Sequence, residues 1–263
     1  MKKLLAMVMC VCLAVMFTAC GKGKDQTDSE FVKEKGKLVI GITDYAPMDY
    51  KKTEGSGEWI GFDADMAKAF AKELGVEAEF VVIEWDNKLM ELKGKSIDCV
   101  WNGMTITDEV KNGMEVSNAY CKNTQVVVVK KDVADKYKTI ESVKDLKFAA
   151  EAGSAGEKAL KDLGYSVTAV GAQSDALMEV NAGTSDAAVI DLLMAGAMIG
   201  EGTSYENLAY TVGVADEEDF GVGFRKGSDL TEAFNNFYKG AYKDGVVLSF
   251  AQKYGVQEAI VAP

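Results

Sequence analysis

Four side chains and one glycine-rich turn carry the chemistry on offer. Tyr45 and Trp85 present aromatic faces, and Glu151 and Asp191 present carboxylates. Rings combined with carboxylates suit an ammonium group, held by cation–π attraction and charge-assisted hydrogen bonds. Gly153-Ser154-Ala155-Gly156 opens a helix, and free backbone N–H groups at a helix start bind an anion such as a carboxylate. Together these features describe a site for a small molecule with an amine, with or without a carboxylate. Each feature also has a plainer explanation. Trp85 alone fits a core equally well, Asp191 alone fits the N-cap of a helix beginning at Leu192, and the two glycines alone fit a turn. Their convergence on strand ends favours a site. The 263 residues include no histidine, which removes Ser-His and Cys-His nucleophile pairs, imidazole acid–base chemistry and His metal ligation. No catalytic residue, metal or cofactor is expected.

The elements that must position these residues form two similar passes. In the first, Lys37–Ile42 is a strand, and Asp63 caps a helix with Met66, Phe70 and Leu74 at spacing four, stopped by Gly75. Val76–Ile83 is a strand, 87–93 a short helix, and Ser96–Trp101 a third strand. In the second, Lys147–Glu151, Ser166–Val170 and Ala187–Asp191 are strands, separated by helices over 156–163 and 175–181. Leu89-Met90-Glu91-Leu92 answers Leu177-Met178-Glu179-Val180, and Leu89 to Asp98 has the same spacing as Leu177 to Asp186. This β-α-β-α-β rhythm predicts an α/β fold of two lobes, each a mostly parallel sheet flanked by helices. Gln125–Lys130 and Phe220–Phe224 are further strands. Two closing helices, with Leu230, Phe234, Phe237 and Ala241 on one and 246–254 on the other, return to cover the first lobe. The expected boundaries are 34–124 with 219–263 for lobe I and 125–218 for lobe II, with crossing strands near 122–126 and 217–221. Ligands of open parallel sheets bind at the carboxyl ends of strands. That rule selects Thr43, Asp44 and Tyr45, Trp85, Asn102 to Thr105, Glu151 with Gly153 to Ala155, Ala172 and Gln173, and Asp191, facing one another in a cleft.

Composition narrows the partners. Asp and Glu number 41 against 29 Lys and Arg, a formal charge of -12, and Arg225 is the sole arginine. This excess argues against a phosphate-tracking surface, so no nucleic-acid partner is expected. Lys2 and Lys3 precede an apolar or small run, Leu4 to Ala19, too short for a comfortable transmembrane helix. Residues 1–19 read as a secretory signal peptide. Phe17-Thr18-Ala19-Cys20-Gly21 is similar to the bacterial lipoprotein signal, which implies lipidation at Cys20 and anchoring outside the cytoplasm. Residues 20–33 then read as the lipidated cysteine and a flexible polar tether. Cys99 and Cys121 remain, as a disulfide or as two buried thiols.

From Lys37 to Tyr254 the chain resembles the bacterial extracellular solute-binding proteins of family 3, the polar amino-acid receptors of ABC importers. The resemblance is carried by Leu38-Val39-Ile40-Gly41, Gly61-Phe62-Asp63-Ala64-Asp65-Met66-Ala67, Gly103-Met104-Thr105-Ile106-Thr107, Gln125 to Val129, Ala188-Val189-Ile190-Asp191 and Gly223-Phe224-Arg225-Lys226-Gly227-Ser228. It implies a two-lobed clamp that closes on a ligand and delivers it to a membrane permease. It implies that Tyr45 and Trp85 sandwich the ligand, and that the Gly103 carbonyl and Asp191 hold the α-amino group. Thr105 and the Ser154–Ala155 backbone take the α-carboxylate, and Glu151 faces the ligand side chain. One position departs: where the family has an arginine for the α-carboxylate, Val110 stands, and valine has no such fork. Lys111 as a point charge, the helix terminus at Ser154, or a cationic amine or polyamine without an α-carboxylate are the alternatives. Glu151 is the candidate acid in the alternative of a dehydratase on the same architecture, and a sensor is the third class.

Overall fold

The structure is a computed structural model that describes residues 26–53 and 55–263. The expected signal peptide and the lipidation at Cys20 lie outside the described residues. Residues 28–33, expected as tether, belong instead to a helix, α1 (Asp28–Lys35), closed at its start by a Thr27/Glu30 capping box. Its one buried side chain, Val32, joins the core. The helix's other apolar residue is the adjacent Phe31, and two neighbouring apolar residues make no helical period. It is held from outside: Arg225 Nε lies 2.9 Å from Asp28 Oδ1, and the Ser29 amide donates to Asp229 at 3.0 Å.

Strand β1 (Lys37–Ile42) is followed by a small hairpin, β2 (Tyr50–Lys51) with β3 (Trp59–Ile60). Helix α2 (Phe62–Leu74) follows. Its N-cap is Gly61 rather than Asp63, whose carboxylate turns inward to the Gly103 amide and the Tyr120 hydroxyl; a Cβ at 61 would lie 2.0 Å from the Met48 carbonyl oxygen. Then come β4 (Glu77–Val82), α3 (Lys88–Lys93), β5 (Cys99–Val100), α4 (Asp108–Gly113) and β6 (Glu115–Val116). The chain leaves on β7 (Cys121–Asn123) and enters β8 (Gln125–Lys130). The second pass is β9 (Phe148–Glu151), α5 (Ala155–Asp162), β10 (Val167–Val170), α6 (Gln173–Ala182), β11 (Ala187–Asp191), α7 (Leu192–Met198) and β12 (Leu208–Gly213). The chain returns on β13 (Glu218–Phe220), enters β14 (Gly223–Phe224), and ends in α8 (Leu230–Lys243) and α9 (Val246–Tyr254).

Two five-stranded sheets result, in the orders β4-β1-β5-β14-β6 and β10-β9-β11-β8-β12. Each has a parallel trio, then one antiparallel strand, β14 or β8, and beyond it an edge strand, β6 or β12, that pairs antiparallel with it. The antiparallel strands β8 and β14 are the ones that continue from the two crossings, so each enters its sheet from the cleft end. The crossings β7 and β13 pair with each other, Phe220 opposite Cys121 and Glu218 opposite Asn123. The single strand expected over 220–224 is therefore two, one in this ladder and one in the first sheet. Helices α8 and α9 pack on α2, and Trp101, Phe70 and Phe234 meet edge to face, with 4.9 Å between the Trp101 and Phe234 rings. Cys99 and Cys121 are both buried free thiols. Among the described residues, no helix is long and apolar enough to cross a membrane.

Candidate ligand-binding site

Between the sheets lies a cleft of about 420 Å³, within the range of small-molecule sites. Trp85, Asn102, Gly103, Thr105, Glu151, Ser154, Ala155 and Asp191 line it as expected. They arrive from the ends of β4, β5, β9 and β11, as the strand-end rule requires. Asp44, Tyr45 and Lys111 do not reach it. Asp44 lines a separate cavity with Tyr50, Lys51, Ser174 and Tyr254. Tyr45 lies one layer behind, buried beside Asp191 and against Gly103, where a Cβ would come within 2.6 Å of its ring. Lys111 is exposed on α4, and its carbonyl accepts from Lys226 at 2.7 Å. Val110 is 3% exposed in an apolar cluster with Trp85, Met104 and Met114, so position 110 offers the cleft no charge.

The cleft's buried acids sit differently. Asp191 is the N-cap residue of α7, yet its side chain makes no capping bond. It accepts instead from Gln125 Nε2 at 2.6 Å, Gln173 Nε2 at 2.5 Å and the Asn123 amide. Burial pushes its carboxyl up to about 7, with the nearby Glu218 charge adding and the Gln173 and Gln125 bonds opposing. Glu151 ends β9 at 2% exposure, and its Oε1 has no partner among the described residues. Burial pushes this carboxyl up to about 8; the neighbouring Thr43 hydroxyl and Lys88 oppose the rise, and Asp191 adds to it. A buried acceptor without a donor is costly, so a ligand cation or donor at Glu151 satisfies an existing deficit.

Other expected contacts are already engaged within the chain. The Asn102 amide is fully used, accepting from the Thr43 amide at 2.9 Å and hydroxyl at 2.8 Å and donating to the Thr43 carbonyl and to Asp49 Oδ2. It clamps β1 to β5 rather than offering a free group. Thr105 Oγ1 donates to Glu218 Oε2 at 3.1 Å, which also accepts from Gln125 Nε2 at 2.9 Å. At the helix start, Ser154 caps α5 by accepting from the Glu157 amide, and the Glu157 carboxylate takes the Gly153 N–H at 3.0 Å. The expected anion pocket is thus partly filled by the chain's own carboxylate.

Several residues of the site were not selected from sequence. Gln125, which opens the crossing strand, orients Asp191 together with Gln173, the one of the pair that the strand-end rule does select. Asp63 supports Gly103 from behind, accepting its N–H and the Tyr120 hydroxyl at 2.7 Å each. Burial raises Asp63 to about 7, against those two bonds. Lys88, 6% exposed, donates to the Trp85 carbonyl at 3.1 Å and, across the cleft, to the Gly153 carbonyl at 3.0 Å. No periodicity distinguishes it from the other lysines. Its contact with Gly153, and the fit of Gly153 against Asp86, show the lobes closed on each other.

The sequence matches the profile of the bacterial extracellular solute-binding proteins, family 3, over residues 38–257. It is 30% identical over 262 residues to the arginine-binding extracellular protein ArtP of Bacillus subtilis (strain 168), covering 97% of this chain and 98% of that relative. An amino acid ABC transporter substrate-binding protein from Streptococcus pneumoniae Canada MDR_19A, solved bound to L-arginine, superposes with a TM-score of 0.79 at 29% identity, over 90% of this chain and 100% of that one. The ancestral amino acid-binding protein AncCDT-1, a precursor of cyclohexadienyl dehydratase, superposes with a TM-score of 0.77 at 33% identity, over 86% and 98%.

Proposed function

The chain belongs to the bacterial extracellular solute-binding proteins, family 3, and from that premise we propose that it is the receptor of an ABC importer for an amino acid with a cationic side chain. It acts outside the cytoplasm, held to the membrane by a lipid on Cys20 after removal of residues 1–19, and hands its ligand to a membrane permease. Lobe I is 34–124 with 219–263, and lobe II is 125–218. The observation that carries the ligand class is the pairing, in one enclosed cleft, of two buried carboxyls, Glu151 and Asp191, with the Trp85 ring. Asp191 takes the α-ammonium with the Gly103 carbonyl, and Trp85 and Glu151 take the side chain. The arginine-binding Bacillus subtilis relative and the L-arginine-bound Streptococcus pneumoniae structure support this reading.

A second reading, a receptor for an amine or polyamine without an α-carboxylate, is favoured by Val110 and by the Glu157 carboxylate at the Gly153 amide. The chain acts by binding, not by turnover. The link of one neighbour to a dehydratase gives Glu151 as the acid to test, by assaying prephenate turnover in wild type and E151Q. Calorimetric titration with arginine, lysine, histidine, glutamine, cystine, glutamate and putrescine tests the main reading. Arginine or lysine is expected to bind at least about tenfold more tightly than glutamate, about 1.4 kcal/mol. Tighter binding of glutamate, or binding of none, contradicts it.

A further inference from the structure

Lys88 is a buried cation with no carboxylate in contact with it among the described residues. It is the only buried lysine among the described residues, and it stands at the first position of α3 on the cleft wall. Its ammonium has three N–H groups; two meet the Trp85 and Gly153 carbonyls, and the charge lies 5.0 Å from the centre of the Trp85 ring. Glu109, Glu151 and Asp86 are near enough to be felt, yet among the described residues no carboxylate lies within 4.0 Å of its Nζ. Carbonyl dipoles and a ring face compensate an ammonium only in part, and a buried charge is ordinarily matched by an opposite one. The other cations are already paired or lie elsewhere: Lys158 and Lys161, which also line the cleft, are bound to Asp162 and Glu157. Arg225 is bound to Asp28 and Asp98, and Lys111 is outside the cleft. Position 110, one wall away, is apolar.

We propose that Lys88 is a specificity-determining residue: its ammonium pairs with the ligand's carboxylate, supplying from α3 the positive charge that Val110 does not supply from α4. The inference rests on the reading of the cleft as an amino-acid site, and it chooses the carboxylate-bearing ligand over the bare amine. The Gly153 carbonyl that Lys88 touches lies just before the α5 start, so the ammonium stands beside the Ser154–Ala155 turn at one corner of the cleft. A carboxylate there gains the lysine charge together with the helix-start N–H groups that the Glu157 carboxylate does not occupy. As a compact point charge, lysine grips one oxygen rather than two, so binding at this corner tolerates more than one carboxylate orientation.

The test compares each amino acid with its decarboxylated partner: L-arginine with agmatine, L-lysine with cadaverine, and L-histidine with histamine. Each is titrated calorimetrically into wild type, K88M, K88Q and K88M/V110R. The expected result is a loss of about tenfold or more for the amino acid in both single variants, with the decarboxylated partner changed by less than about twofold. Restoring a charge at 110 is expected to recover at least part of the loss for the amino acid alone. Equal losses for both members of a pair, or none, overturn the proposal and leave Lys88 as a contact between lobes. If wild type binds only the decarboxylated members, the amine site stands and the role of Lys88 fails. If it binds no member of any pair, the amino-acid reading itself fails. Unchanged circular dichroism and thermal midpoints in the variants exclude misfolding as the cause, and K88Q, which keeps the polar contacts, decides the matter should K88M unfold.

Discussion

Glu151 and Asp191 were evident from sequence because both end apolar strands, and the strand-end rule needs nothing else. What they do with their protons was not, because that depends on burial and on partners distant in the chain. In the ligand-free cleft Glu151 holds its proton up to about 8 and Asp191 up to about 7. A cationic ligand selects the ionised forms, so its binding expels protons, and its affinity rises with pH until about 8. Each group contributes at most about tenfold per pH unit. Titration of L-arginine from pH 6 to 9 checks this, and in E151Q the rise between 7 and 8 disappears. On stability the sign is reversed. The folded ligand-free chain keeps protons that the unfolded chain releases, so this contribution is complete below the ordinary carboxyl values of 4.5 and 3.8. It is lost as pH climbs through about 7 and 8. Asp191→Asn sets an amide donor against the Gln125, Gln173 and Asn123 donors and removes the charge. A loss of roughly thirtyfold or more in affinity is expected, about 2 kcal/mol for one partner of a buried charged contact.

Among the elements, β8 and β11 match their expected spans because both are continuous apolar runs, buried on both faces. The third strand of the first pass shrinks from six residues to Cys99–Val100, since only that stretch finds ladder partners in β1 and β14. The strand over 220–224 breaks because its two ends serve different sheets, which no local pattern records. Helix α1 shows the opposite case. Its Thr27-x-x-Glu30 capping box is a readable start signal, but with one buried residue it has no apolar face to notice. The sole arginine accounts for its docking. Arg225 reaches Asp28 on α1, the fully buried Asp98, and the Ile97 carbonyl at 2.7 Å. Arg225→Ala leaves Asp98 with Lys35 as its one cation among the described residues, beside the Val39 amide. The expected cost is about 3–5 kcal/mol, read as a fall in the urea midpoint, with ligand affinity unchanged in the fraction that remains folded.

For the whole molecule, the two-lobed plan followed from the repeated β-α-β-α-β rhythm, whereas the fit of one lobe on the other did not, because it depends on shape at a few atoms. Gly153 is such a place. Its φ is +70°, and a Cβ there would lie 2.7 Å from Asp86 Oδ1 and 2.8 Å from the Asp86 Cα on the facing lobe. Gly153→Ala therefore opposes closure, by backbone strain of about 1–2 kcal/mol and by collision with Asp86. Small-angle scattering with saturating L-arginine is expected to show a smaller radius than without it in wild type and little change in the variant. Closure unites all three scales, since it holds Glu151 and Asp191 buried in one cleft and so favours a positive nitrogen between them. The most direct measurement is a crystal structure grown with L-arginine. The account predicts one ligand nitrogen within hydrogen-bond distance of Asp191, a second facing Glu151 and the Trp85 ring, and the carboxylate at the Lys88–Ser154 corner. An empty cleft, or a ligand carboxylate directed at Asp191 or Glu151, contradicts it.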